Sequence, residues 1–200
     1  MAPTATTKTL DFLFDVGSPT TYLAHKRLPE IVARTGATVT YIPMLLGGVF
    51  KATGNASPVM VPAKGVYMGA DMARFAGKHG VTLNMNPHFP INTLPMMRML
   101  AGLQGDDRFP PVVDVLFDAM WKGRKQMADP AVVAEVLTQA GCDAAALLAL
   151  AETPEAKNRL KANTEAAIAR GAFGAPTFFI GEAMYFGQDR LDWIEEALTG

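Results

Sequence analysis

Cysteine is nearly missing from this chain: Cys142 is the one cysteine in 200 residues. An intrachain disulfide is therefore excluded, and so is a CxxC dithiol centre. Histidine is also scarce. His25, His79 and His88 lie far apart and form no local zinc motif. Neither sign of charge is in excess, since 18 Lys+Arg stand against 19 Asp+Glu. A nucleic-acid binder usually carries a strong basic surplus. No stretch of about 18 apolar, uncharged residues occurs, so no membrane span is expected. The first residues, Met1 to Lys8, are small and polar and lack the apolar core of a leader. The expectation is a soluble, cytoplasmic protein that engages neither nucleic acid nor membrane. Apolar side chains, by contrast, are plentiful. Hydrophobic residues make up 50% and charged residues 18%, which excludes a disordered chain. This length can bury a core without disulfides or metals, as one domain or one domain with an insertion.

Hydrophobic periodicity gives the order of elements. Thr9 to Val16 is a Phe- and Leu-rich run ending at Gly17, which predicts a buried strand. Ser18-Pro19 then reads as a helix start, with Ser as the cap and Pro where no N–H is needed. Tyr22, Leu23, Leu28, Ile31 and Val32 recur at helical spacing up to Gly36, and Ala37 to Tyr41 alternates as a second strand. Strand, helix and strand in this length make a βαβ unit with parallel strands. Residues 44 to 62 read as a long loop, of a length more often functional than idle. Helical pieces fill Ala63 to Gln139, and another helix runs from Pro154 to Arg170. The tail returns to strand at Pro176 to Ile180, turns at Gly181-Glu182, and continues through Ala183 to Phe186. A closing helix starts at Asp189, which would also cap it. The fold class is α/β: a thioredoxin-type arrangement with a helical insertion. Residues 9–62 and 153–199 would form the thioredoxin-like domain and 63–152 the insertion.

Two local motifs carry chemistry. Ser18 sits where a strand meets the first turn of a helix, and that turn presents unpaired N–H groups and partial positive charge. A thiolate there is stabilised. Where a thioredoxin-type oxidoreductase would place two cysteines, this chain has Ser18 and Thr21. Any thiol at this point must come from a ligand, to which the Ser18 hydroxyl can donate a hydrogen bond. The second motif is Gly174-Ala175-Pro176-Thr177-Phe178. A cis Pro176 opposite the helix start would let the backbone of Ala175 hold a peptide-like ligand, a short form of strand addition.

Four strings in register make the resemblance specific: FDVGSPTTYLA, LLGGVFKATGN with a later Pro and Lys, a downstream Y…D..R.A, and AFGAPTFFIG…YFGQDRLDW. Together they resemble the 2-hydroxychromene-2-carboxylate isomerases, which group with kappa-class glutathione transferases in the DsbA-like branch of the thioredoxin fold. The resemblance covers Thr9 to Leu198. It implies glutathione as cofactor, a small aromatic 2-oxo acid as substrate, and a homodimer. Ser18 matches the active-site serine that bonds the glutathione sulfur. Asn55 and Lys64 match ligand-contacting residues; a cation suits a carboxylate of the tripeptide or of the substrate. Ala175 and Pro176 would hold the cysteinyl backbone. Gln188 and Asp189 fall where the transferases carry a Ser-Asp pair for the γ-glutamyl end, with Gln in place of Ser.

The implied reaction interconverts 2-hydroxychromene-2-carboxylate and trans-o-hydroxybenzylidenepyruvate, in aromatic catabolism, by reversible thiolate addition. A kappa-like transferase or peroxidase, or a non-catalytic thioredoxin-like binding protein, are the alternatives. Met96, Met97, Met99 and Trp121 are expected in the core, Cys142 as an inert, partly buried thiol, and Asp71–Arg74 as a weak surface pair.

Overall fold

A computed structural model describes residues 8–200; the leading segment, read above as no leader, otherwise lies outside them. A four-stranded sheet in the order β2-β1-β3-β4 organises the chain. Strand β1 (Thr9–Phe14) is central and runs parallel to β2 (Thr38–Pro43), Phe12 opposite Tyr41. Helix α1 (Pro19–Thr35) makes the crossover, and Gly36 ends it in the left-handed region at φ 67°. Strand β3 (Thr177–Ile180) runs antiparallel to β1, and β4 (Ala183–Phe186) antiparallel to β3. The predicted βαβ and ββ units are both present, and the architecture is the thioredoxin fold.

Between the two halves lie α2 (Leu46–Thr53), α3 (Pro62–Lys78), α4 (Leu94–Leu103), α5 (Phe109–Trp121), α6 (Pro130–Gln139) and α7 (Ala144–Glu152). Helix α8 (Pro154–Ala169) leads back to the sheet and α9 (Leu191–Thr199) closes the chain. Helix α4 packs on α7 and α8, α3 lies against α1, and α9 also packs on α1. The core is continuous across these parts. Phe12, Phe14 and Phe178 of the sheet share one cluster with Met96, Met97, Met99, Trp121, Leu147 and Ile194. The Phe12 and Phe178 rings stack at 5.1 Å, and Tyr41 meets Phe12 edge-on at 4.9 Å.

Two sequence expectations need correction, and one helix carries no periodic signal in the sequence. Residues 44 to 62 are not one open loop, because α2 occupies their middle and a 3₁₀ turn spans Pro58–Met60. Gly47 and Gly48 hide α2 from a propensity reading. Tertiary contacts support it: the Leu46 N–H donates to Asp15 and the Leu45 N–H to the Thr164 hydroxyl. Helix α7 has no amphipathic period to read, being AAALLALAE, and only its Asp143 cap marks it. Asp189 does not cap the last helix. It lies within a 3₁₀ turn, Gln188–Arg190, and Arg190 precedes α9 with no side-chain cap bond.

A polar cluster fastens α1 to α5 and β2. His25 Nδ1 lies 3.0 Å from the Tyr41 hydroxyl and Nε2 lies 3.1 Å from Asp114. Lys26 pairs with Asp114 and, at 2.8 Å, with Asp118. Tyr22 donates to the Thr82 carbonyl at 3.1 Å. Among the described residues no helix is long and apolar enough to cross a membrane.

Candidate active site

The end of β1 is built to present Ser18. Asp15 turns the chain out of the strand by accepting the Gly17 N–H on its carboxylate at 2.9 Å, an Asx-type turn. Its own carbonyl accepts the Ser18 N–H at 3.1 Å. Behind the turn, the Trp121 indole N–H donates to the Val16 carbonyl at 2.8 Å. Ser18 is extended (φ −100°, ψ 118°) and caps α1, its Oγ accepting the Thr21 N–H at 3.2 Å. Pro19 follows, and no acidic side chain lies in the first turn. The N-terminal field of α1 therefore acts at Ser18 without a neutralising carboxylate within that turn.

The second wall comes from the far end of the sequence. The Ala175–Pro176 peptide bond is cis, as predicted. The Gly187 N–H donates to the Pro176 carbonyl at 3.0 Å, and the Thr177 hydroxyl to the Gly174 carbonyl at 2.8 Å. The Ala175 carbonyl faces α1 and receives the Ser18 and Thr20 hydroxyls at 3.3 Å each. Ser18 Oγ and Thr20 Oγ1 are 3.0 Å apart. Thr20 was not singled out from sequence; its place one residue after Ser18-Pro19 is the signal that marks it.

Asn55 joins this assembly. It follows Gly54, the left-handed end of α2, and donates from Nδ2 to the Phe173 carbonyl at 2.8 Å. It thus ties α2 to the segment leading into Pro176. Gln188 is buried on the 3₁₀ turn, which packs against α1, and its Oε1 has no hydrogen-bond partner. The Thr21 Oγ1, also buried, has none either. Orphaned buried oxygens are uncommon and mark places where a ligand or water completes the structure. Asp189 is exposed and pairs with Arg190 at 2.6 Å. Lys64 stands exposed near the start of α3, beside Pro58, Ala63, Tyr67 and Met68, around an open apolar depression of about 440 Å³. Among the described residues no hydrogen bond or ion pair links Lys64 to Ser18, Asn55 or Asp189. Structure therefore brings Ser18 and Thr20 into contact with Ala175, the residue before cis-Pro176, and fastens Asn55 to the adjoining segment. Lys64 stands apart from that contact set.

A family model described as a DSBA-like thioredoxin domain matches residues 9–199. The chain is 32% identical to 2-hydroxychromene-2-carboxylate isomerase of Sphingobium xenophagum, over 96% of this chain and 98% of that one. It is 29% identical to glutathione S-transferase kappa 1 of Homo sapiens, over 96% and 91%. A solved structure of a 2-hydroxychromene-2-carboxylate isomerase superposes with a TM-score of 0.86 at 31% identity, covering 95% of this chain and 94% of that one. DsbA from Pseudomonas aeruginosa, at 16% identity and a TM-score of 0.60, covering 97% and 83%, shares the fold alone. With Ser18 at the helix start where thiol chemistry would need a cysteine, the chain belongs to the DSBA-like thioredoxin family, in its branch with the 2-hydroxychromene-2-carboxylate isomerases.

Proposed function

We propose that the chain is a glutathione-dependent isomerase that interconverts 2-hydroxychromene-2-carboxylate and trans-o-hydroxybenzylidenepyruvate. The observation that carries this reading is the meeting of the Ser18 hydroxyl, at the start of α1, with the Ala175 carbonyl before cis-Pro176. The kinship with named isomerases and kappa-class transferases supports it.

The residues present fit glutathione. Ser18 supplies a hydroxyl donor at the positive end of α1, which suits a thiolate. The Gln188 Oε1 is a buried acceptor without a partner, and the neighbouring Asp189 carries negative charge; together they suit an ammonium. Ala175 and Pro176 would hold the cysteinyl backbone, and Asn55 and Lys64 the remaining carboxylates of cofactor or substrate. When bound, glutathione would supply a thiolate whose reversible addition lets the substrate's double bond rotate as a single bond.

The protein's part is electrostatic and positional. Ser18 turns its hydroxyl proton from the Ala175 carbonyl toward the stronger anionic acceptor. The α1 N-terminus favours the charge, and Thr20 retains its bond to Ala175, keeping the two walls together. Lys64, near the rim of the apolar depression, offers a cation for the substrate carboxylate. Cytoplasmic location suits a chain with one unpaired cysteine. A homodimer is supported by the exposed Val59, Met60, Val61, Val66 and Tyr67 around that depression, and light scattering would give its mass.

The test is turnover of 2-hydroxychromene-2-carboxylate with and without glutathione. Activity should be lost when glutathione is withheld, and equal rates would overturn the reading. The kappa-class kinship favours a second reading, a transferase or peroxidase on the same site. Conjugation of an electrophilic aromatic, assayed in parallel, separates the two.

A further inference from the structure

We infer that Asp15 is a positioning residue of the thiolate site: its carboxylate fixes the turn that carries Ser18, ties that turn to α2, and opposes by its charge the ionisation of a thiol held at Ser18. This deepens the reading above and rests on it.

Asp15 is 1% exposed and lies three residues before Ser18. One carboxylate oxygen accepts the Gly17 N–H and the other the Leu46 N–H, each at 2.9 Å. The first contact is with the residue preceding the α1 cap, and the second is with the first residue of α2. A single carboxylate therefore sits between two helix starts. The site is tightly filled, since a Cβ on Gly17 would lie 2.8 Å from Thr93 Cγ2 and 3.3 Å from Asp15 Oδ1.

The elements packed around the carboxyl bring no opposite charge to it. The first turns of α1 (Pro19 to Tyr22), α2 (Leu46 to Val49) and α4 (Leu94 to Met97) contain no charged side chain. The Thr93 side chain packs against Gly17 next to it. Burial holds the carboxyl above its ordinary range, and the Leu46 and Gly17 N–H groups and Thr93 offset only part of that rise. With both oxygens accepting N–H bonds, a proton could be placed on either only by weakening one of them.

A thiolate at Ser18 would sit one residue beyond the Gly17 N–H that this carboxylate holds at 2.9 Å. Neighbouring like charges raise each other's pKa, and the coupling is reciprocal. Asp15 thus offsets part of the helix field and limits how strongly the site acidifies a bound thiol. A merely structural Asp15 would act in the opposite sense: its removal would loosen Ser18 and raise the thiol pKa.

The full chain is titrated with glutathione bound, following thiolate absorbance, as wild type and as Asp15→Asn. The thiol pKa should fall by about one unit in the variant; a rise or no change overturns the inference. Because Asp15→Asn can fail to fold, carboxyl carbon NMR of the wild type supplies an independent measurement. The Asp15 pKa should rise with glutathione by more than with S-methylglutathione, which has no ionisable thiol. Equal values for the two ligands overturn the coupling. Binding of glutathione with Asp15 unmoved overturns this inference alone, whereas no binding in calorimetry overturns it together with the proposed function.

Discussion

Ser18 and Ala175, 157 positions apart in the chain, meet through a hydroxyl-to-carbonyl bond of 3.3 Å. One closes the β1–α1 turn and the other precedes cis-Pro176, so the contact joins the βαβ unit to the ββ unit. The Ser18 proton is already committed to an acceptor in the same site. Redirecting it to a sulfur changes one hydrogen bond and leaves the cap on Thr21 in place.

Ser18→Ala removes both the donor and the cap. Isomerase turnover should fall by about one to two powers of ten, in line with the loss of one charge-assisted hydrogen bond. The pKa of bound glutathione should rise, read from thiolate absorbance. Loss of the cap should lower stability by about 1 kcal/mol in urea unfolding. An unchanged thiol pKa would remove Ser18 from the catalytic role.

Cys142 is the one sulfhydryl the chain owns, and it lies beyond α6, partly buried. Cys142→Ser should retain turnover within about twofold, since its stability cost is that of a small, partly exposed side chain. Glutathione dependence should also persist. Loss of activity in a folded Cys142→Ser protein would show that the reaction uses the protein's own thiol.

Gly187 holds φ 105°, and a side chain there would run into the Asp189 carboxylate. Gly187→Ala should lower stability by about 1–2 kcal/mol because an L-residue is strained at positive φ. Displacement of Asp189 should also weaken glutathione affinity by about tenfold in calorimetry. Full affinity in a folded Gly187→Ala protein would separate Asp189 from the ligand.

Asp114 governs one part of the acid sensitivity. The His25 hydrogen bond, followed by Lys26, holds its carboxyl well below the usual range. A carboxyl depressed in the folded state stabilises the fold above its unfolded pKa of about 4, and that contribution is lost as pH falls through the folded value. Asp114→Asn should therefore cost up to about 1 kcal/mol at neutral pH, discounted for its half-exposed side chain. The difference from wild type should shrink below about pH 4. Urea midpoints measured from pH 7 to pH 2 check this, and a constant offset would contradict it.

The sequence by itself determined the elements whose signals are local. Phe and Leu runs bounded by glycine mark β1 and β3, Ser18-Pro19 starts α1, and Gly36 stops it, because caps and periodicity act within a few residues. It also determined that no protein dithiol acts at the helix start, from cysteine count alone. Resemblance, rather than spacing, supplied Asn55, Gln188 and Asp189. Only the tertiary structure decided the rest. Helix α2 exists against its two glycines because Asp15 and Thr164 hold its first N–H groups. Thr20 enters the site through a bond to the carbonyl of Ala175, far along the chain, and Asp189 lies in a 3₁₀ turn ahead of the last helix instead of capping it. A long-range hydrogen bond has no periodicity, so nothing in a linear pattern announces which two polar groups will share it.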